Sequence, residues 1–267
     1  MSAVGKPKIV LLGQKDPTKE VELTSDEGAF ESWLAVAQDM WGMANLTPFD
    51  SIFASRAIGT IVPTQGGNFG VLTYQLGARL FTFSREGGIW IDAFEAEPAL
   101  SKLEKRPKDK VKLAVWAPGK NQLAGKKMTH MAILSPSRLP GTVHDLIKVA
   151  APALKKDGQL FLADIMRGPK GDPKGLWKHT PADYKRWLDE SGLKFYSEID
   201  ITGDVRVALL RGLHNSLNML ANVRKLQEPW KGQRFKAFEK ELEQVVLLHL
   251  AIERGEAVAA GLYYTKA

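Results

Sequence analysis

From Ile58 onward, short apolar runs alternate with segments of helical spacing, and this alternation constrains the fold more than any other feature of the chain. Strand and helix in turn are the pattern of a parallel α/β sheet. The strands expected are Gly59–Val62, Gly88–Phe94, Val111–Trp116, Thr129–Leu134 and Gln159–Asp164, each apolar enough to be buried on both faces. The clearest helix between them carries the stripe Val143, Leu146, Ile147, Ala150 and Leu154; Pro152 should end it early, and Lys155-Lys156-Asp157-Gly158 makes a charged exit turn. A later helix starts at Thr180-Pro181 with Asp183 behind it and closes at Gly192. Leu193, Phe195, Ile199 and Ile201 then alternate with polar residues, as a half-exposed strand does. Two long helices, roughly 204–226 and 234–253, precede a final strand at Ala259–Lys266. The expectation is a doubly wound sheet whose last two strands are separated by a helical insertion.

Ahead of this region, Thr24-Ser25-Asp26-Glu27 is a helix start, and Phe30, Trp33, Leu34, Ala37 and Trp41 follow at helical spacing. The chain therefore divides into an N-terminal extension with a lid helix, 1–57, and a main domain, 58–267, with its helical insertion at about 204–254. Charge adds a local constraint. The 267 residues include 37 Lys and Arg against 30 Asp and Glu, a formal charge of +7. Between Lys102 and Lys127 nine basic residues stand against two acids, so this stretch alone equals the whole surplus. A locally basic segment on a neutral chain argues against a nucleic-acid wrapping surface, and no aromatics are interleaved through it as a single-strand platform needs. The absence of Cys excludes disulfides, thiolate metal sites and cysteine nucleophiles. The apolar stretch 245–252 is far short of the roughly 20 residues that span a bilayer. With no convincing leader at the N-terminus, a cytoplasmic protein without a membrane span is expected.

The expected first strand runs into Thr64-Gln65-Gly66-Gly67-Asn68-Phe69-Gly70, where three glycines permit a tight turn and close backbone approach to a ligand. Glu95, at the end of the second strand, is an acid placed where a ribose would put its two hydroxyls. These segments resemble the class I S-adenosylmethionine-dependent methyltransferases. Gly66–Gly70 looks like the Gly-Ala-Asn-x-Gly cofactor loop of FkbM-type members, and Ala93-Phe94-Glu95-Ala96-Glu97-Pro98 looks like their second motif. Leu154–Leu160 is similar to the turn that precedes their fifth strand, and the C-terminal third, closing on Tyr263-Tyr264-Thr265-Lys266, resembles that of small-molecule methyltransferases. The resemblance covers roughly 58–267. It implies a Rossmann-like, doubly wound seven-stranded sheet, mostly parallel with one antiparallel C-terminal strand, beneath a helical cap built from the N-terminal helix and the insertion.

The resemblance further implies S-adenosylmethionine as cofactor, held by Thr64, Gly66, Gly67, Asn68, Gly70, Glu95, Trp116 and Ser135. It implies a small-molecule acceptor near Trp41, His214 and Asn215, with His214 the candidate catalytic group. The chain departs from the family where it matters: Thr64 stands where an acid usually precedes the glycine loop, and Trp116-Ala117-Pro118 and Thr129-His130 replace acids at the third and fourth strands. Trp116 fits a core tryptophan as well as an adenine platform. Of the other histidines, His249 falls on an apolar helical stripe, while His130, His144 and His179 read as capping or surface residues. No histidine has metal-ligand spacing with acids, so no metal site is expected. Two readings stay open: a methyltransferase acting on a small molecule, and a methyltransferase-fold protein that has lost catalysis and serves as a binding or assembly partner. A homo-oligomer is compatible with both. An RNA or protein methyltransferase has only the basic stretch in its favour, and a nicotinamide-dependent dehydrogenase needs a Gly-x-Gly-x-x-Gly loop that is absent.

Overall fold

The computed structural model describes residues 25–41, 47–60, 67–74, 84, 88–96, 110–117, 119–120, 122–226 and 230–267. Two helices come first, α1 (Ser25–Trp41) and α2 (Asp50–Thr60), followed by β1 (Phe69–Thr73), β2 (Ile91–Glu95), β3 (Val111–Val115) and β4 (Met128–Leu134). A short 3-10 turn, Pro136–Arg138, leads to α3 (Val143–Ala153), β5 (Leu154–Arg167), α4 (Pro181–Glu190) and β6 (Leu193–Asp200). The chain closes with α5 (Thr202–Val223), α6 (Trp230–Glu253) and β7 (Ala257–Lys266). Seven strands form one sheet in the order β3-β2-β1-β4-β5-β7-β6. β1 to β5 pair in parallel, and β7 runs antiparallel to both β5 and β6, so it is the single reversed strand of the expected architecture.

The first strand lies elsewhere than the sequence suggested. Gly59 and Thr60 end α2, and 61–66 lie outside the described residues; β1 instead begins at Phe69. The short apolar run around Ile61 has no period that separates a strand from a helix end, whereas Phe69–Thr73 is buried at every position. α2 also spans the 57/58 boundary, so the expected division of the chain falls within a helix. Along β1 the side chains alternate between two cores: Phe69 and Val71 pack beneath α2, α5 and α6, while Leu72 joins the side formed by α3 and α4.

Local signals explain the remaining boundaries. Thr142 caps α3, its hydroxyl accepting from the Asp145 N–H, and Pro152 sits in the last turn, one residue before the helix ends. The expected exit turn survives as a bulge within β5: Asp157 adopts a left-handed φ of 60°, and the β4–β5 register shifts there. A capping box between Thr180 and Asp183 starts α4 with Pro181 in its first turn, and Gly192 closes it at φ 74°. β3 is an edge strand, and the described part of the basic segment surrounds it: Lys126 pairs with Asp92 at 2.6 Å and Lys110 donates to the Gly88 carbonyl. Among the described residues no helix is long and apolar enough to cross a membrane.

Candidate functional site

In an open parallel sheet, ligands bind outside the carboxyl ends of the strands, near the point where the strand order reverses. Here β1 and β4 flank that point, and their last residues, Thr73 and Leu134, stand side by side. Thr73 is also level with Glu95, the last residue of β2, and both are buried. Beyond β4, Ser135 adopts a left-handed φ of 54° and its N–H donates to the carbonyl of Ala163 within β5, which turns the chain sharply over that strand.

A cavity of about 420 Å³ opens over β5 at this edge. Trp41, Phe49, Trp177, Leu209, Val245 and Leu248 give it apolar, largely aromatic walls. Its roof is made by α1, α5 and α6, which are tied together by polar contacts at their margins. Trp33 Nε1 donates to Glu241 Oε1 at 2.8 Å, and Asn215 Nδ2 donates to the Met40 carbonyl at 2.9 Å. The Trp41 ring lies directly on Gly212, where a Cβ would come within 2.0 Å of it. Arg138 enters the cavity from the 3-10 turn, its guanidinium 4.8 Å from the Tyr74 ring centre and 5.9 Å from that of Phe49.

Asp164 forms the floor of this cavity. It is a fully buried acid receiving four hydrogen bonds. Ser137 supplies its N–H and its hydroxyl, Ile165 its N–H and Tyr184 its hydroxyl, all at 2.7 to 2.8 Å. Burial nevertheless dominates and pushes the carboxyl up to about 6, because the four donors only partly offset the loss of water. Burial, and after it the neighbouring Asp164, raises the Tyr184 phenol far above its ordinary range, so it remains a donor. The network fastens β5, the 3-10 turn and α4 to one another, and so fixes where Arg138 enters. With each carboxylate oxygen already accepting two bonds, Asp164 is a positioning group and has no lone pair left for substrate. A signal for it was present in the sequence: Asp164 is the single charge inside the apolar run Leu160–Met166.

The expected site residues divide sharply. Glu95, Ser135 and Trp116 stand at the carboxyl ends of β2, β4 and β3. Trp116 is a core residue, edge-on to Phe94 with ring centres 6.1 Å apart. Gly67, Asn68 and Gly70 are at the opposite end of the sheet, a correction to the expected cofactor loop: the glycine run enters β1 rather than leaving it. The Asn68 carbonyl accepts from Thr129 N at 3.0 Å at the start of β4, and Gly70 lies inside β1, where a Cβ would approach Met131 at 3.3 Å. Thr64 and Gly66 lie outside the described residues. Trp41 is in the cavity wall. His214 is not: the buried stripe of α5 is Val205, Leu209, Gly212, Ser216 and Met219, and His214 falls on its solvent face. Asn215 binds α1 rather than the cavity. Among the described residues no cluster of His, Asp and Glu has metal-binding geometry.

No protein-family model matches the sequence, and no curated protein does. Solved structures do match in shape. Phosphoethanolamine N-methyltransferase 2 of Haemonchus contortus, in complex with S-adenosyl-L-methionine, is 11% identical with a TM-score of 0.68; the match covers 91% of this chain and 58% of that one. The cyclopropane synthase MmaA2 of Mycobacterium tuberculosis is 10% identical with a TM-score of 0.65, covering 88% and 94%. The [4+2]-cyclase SpnF is 13% identical with a TM-score of 0.62, covering 81% of each chain. At such identities the likeness speaks to architecture, and together with the observed strand order it shows that this chain has the Rossmann-like, seven-stranded methyltransferase fold.

Proposed function

We propose that this protein transfers a methyl group from S-adenosylmethionine to a small-molecule acceptor held in the apolar cavity beneath α1, α5 and α6. The observation that carries this reading is the cavity's position. It lies over β5 beside the strand-order reversal, its Arg138 4.8 Å from the ring of Tyr74, which follows Thr73 at the edge where β1 and β2 end. The residues at that edge fit the cofactor in part: Glu95 suits a ribose diol, and Thr73 and Ser135 bring hydroxyls. The bound cofactor supplies an electrophilic methyl on a sulfonium. What the protein adds is orientation and exclusion of water, which the aromatic walls and three-helix roof favour. No residue is assigned as a base, since Asp164 is saturated and His214 faces solvent.

A second reading, a methyltransferase-fold protein without methyl transfer, has Thr73 in its favour. The resemblance leads one to expect an acid ahead of the glycine loop to meet the methionine ammonium, with Thr64 in its place, and the first strand itself ends on a hydroxyl, Thr73, rather than an acid. The neighbour described as a [4+2]-cyclase supports the same caution that one fold hosts several chemistries. Isothermal titration with S-adenosylmethionine and S-adenosylhomocysteine tests the first reading. Saturable heat is expected, weakened about tenfold or more by Glu95→Gln through loss of a charge-assisted hydrogen bond. Absence of heat at millimolar cofactor would overturn it; saturable heat unaffected by Glu95→Gln would remove Glu95 from the site.

A further inference from the structure

Beside the apolar cavity lies a second one, of about 600 Å³. The two share Ser137, Ile165, Leu176 and Trp177, so one pair of side chains on the β5–α4 connection, Leu176 and Trp177, stands at the mouth of both. Their linings differ in kind. The second cavity is walled by His144, Lys178 and His179, by the hydroxyls of Ser137 and Thr142, and by Trp187; among the described residues no carboxylate lines it.

The two histidines are 35 positions apart in sequence, yet they converge on a single indole. His144 stacks on Trp187 with ring centres 5.6 Å apart and planes 20° apart, and His179 meets the same ring edge-on at 4.8 Å and 74°. Both imidazoles are thereby held in place before any ligand arrives. The main chain is held as well, because the His179 carbonyl accepts from Arg167 N at 2.8 Å, which fastens the segment bearing Lys178 to β5. The acids nearby are engaged: Asp183 accepts from Thr180 and Arg186, Asp145 from Thr142, Asp164 from Tyr184, and Glu190 sits 3.4 Å from His144 Nε2. Two imidazoles held on one indole and an ammonium, around a hollow whose lining carries no carboxylate among the described residues, make a receptor for an oxyanion; the Ser137 and Thr142 hydroxyls already donate to Asp164 and Asp145 and only shape its wall.

We propose that this second cavity binds the oxyanion end of a ligand, a carboxylate or a phosphate monoester, whose apolar remainder passes Trp177 into the first cavity. The ligand is then the methyl acceptor, and in that respect the proposal rests on the methyl-transfer reading; the binding itself does not require cofactor. The test is a titration at pH 7 followed by the histidine Cε1–H resonances, with inorganic phosphate, hexyl phosphate and hexanoate as probes. His144 and His179 shift saturably while exposed His214 does not, and Lys178→Ala weakens binding about tenfold. Hexyl phosphate binds about tenfold more tightly than inorganic phosphate, and Val245→Trp, which fills the first cavity, removes that advantage but leaves inorganic phosphate unaffected. A larger response to hexyl phosphate than to hexanoate identifies a phosphate end, and the reverse a carboxylate. If neither histidine responds to any probe at about 10 mM, the site is overturned; if the hexyl advantage survives in Val245→Trp, the passage between the cavities is. Calorimetry with S-adenosylmethionine alone reports on the methyl-transfer reading, so the two can fail separately.

Discussion

The two cavities are neighbours with opposite chemistry. The first has three aromatic walls and a helical roof, and its floor is an acid whose hydrogen-bonding capacity is spent. The second is lined by a lysine, two histidines and hydroxyls. Between them runs a partition made by Ser137, Ile165, Leu176 and Trp177, with Asp164 on the first cavity's side hydrogen-bonded to Tyr184 on the second's. The difference teaches how one fold builds both an apolar chamber and an ionic one within a side chain's length. The acid facing the first has its hydrogen bonds met from within, so it costs little to bury, while the lysine and imidazoles facing the second stand at its surface.

The most disruptive way to break this comparison is to remove the partition's anchor. Asp164→Asn keeps the size but points an amide NH2 at a site furnished only with donors. A loss of about 3 kcal/mol is expected at pH 7, read from urea unfolding, because at least one buried donor loses its acceptor. The pH dependence sharpens the prediction. Burial raises the folded Asp164 carboxyl to about 6, above its unfolded value near 4, so the folded state binds more protons between those values. Its contribution is therefore fully present below about pH 4 and declines as pH rises through about 6, by on the order of 3 kcal/mol. Wild type should exceed Asp164→Asn by most at pH 4 and by progressively less up to pH 6 to 7. A difference that stays flat from pH 4 to 7 would mean that the four donors, rather than burial, control the carboxyl.

Gly212→Ala perturbs the apolar chamber alone. A methyl at this position gains up to about 1 kcal/mol of helix propensity, but it meets the Trp41 ring at 2.0 Å and must displace it. The net expectation is a destabilisation of about 1–2 kcal/mol from overpacking. Hexyl phosphate should lose affinity while inorganic phosphate keeps it, since Trp41 lines only the first cavity. Equal loss for both probes would show that the chambers are mechanically one.

Most of the frame was legible because its signals are local. The Thr142 and Thr180 caps, Pro152 near a helix end, Gly192 after one, and the period-2 and period-3.6 patterns each act over a single turn or strand. The first strand was not legible. Gly66-Gly67-Asn68-Phe69-Gly70 has the composition of a ligand loop, yet Gly70 lies inside β1, where a Cβ would crowd Met131 at 3.3 Å, and glycine carries both meanings. The site was legible only where one side chain decides it, as with Glu95 at a strand end. His144, His179 and Trp187 carry no joint sequence signature, because the strand and turns between them bring them together only in three dimensions. His214 shows the converse: its neighbours suggested a site, and a rotation of the helical stripe by less than a turn puts it in solvent.

The smallest expected effect lies on the ionic side. α4 carries both Tyr184 and Trp187, and its first turn is held by the Thr180–Asp183 capping box, with Thr180 N donating to Asp183 Oδ2 at 2.9 Å. Burial pushes the Asp183 carboxyl up, but the Thr180 N–H and hydroxyl, then Arg186 and His179, outweigh it and hold the group below its usual value. Thr180→Ala removes the hydroxyl that accepts from Asp183 N and should cost about 1 kcal/mol by thermal or urea unfolding. Its consequence for binding is directional. Loosening the first turn of α4 frees His179, next to the cap, before it affects His144, which stacks on the same indole from α3. The oxyanion-induced shift of His179 should therefore shrink more than that of His144, while hexanoate and hexyl phosphate keep their advantage from the apolar chamber. If both histidines lose response equally, Trp187 rather than the cap governs their placement, and the ionic chamber is organised around the indole.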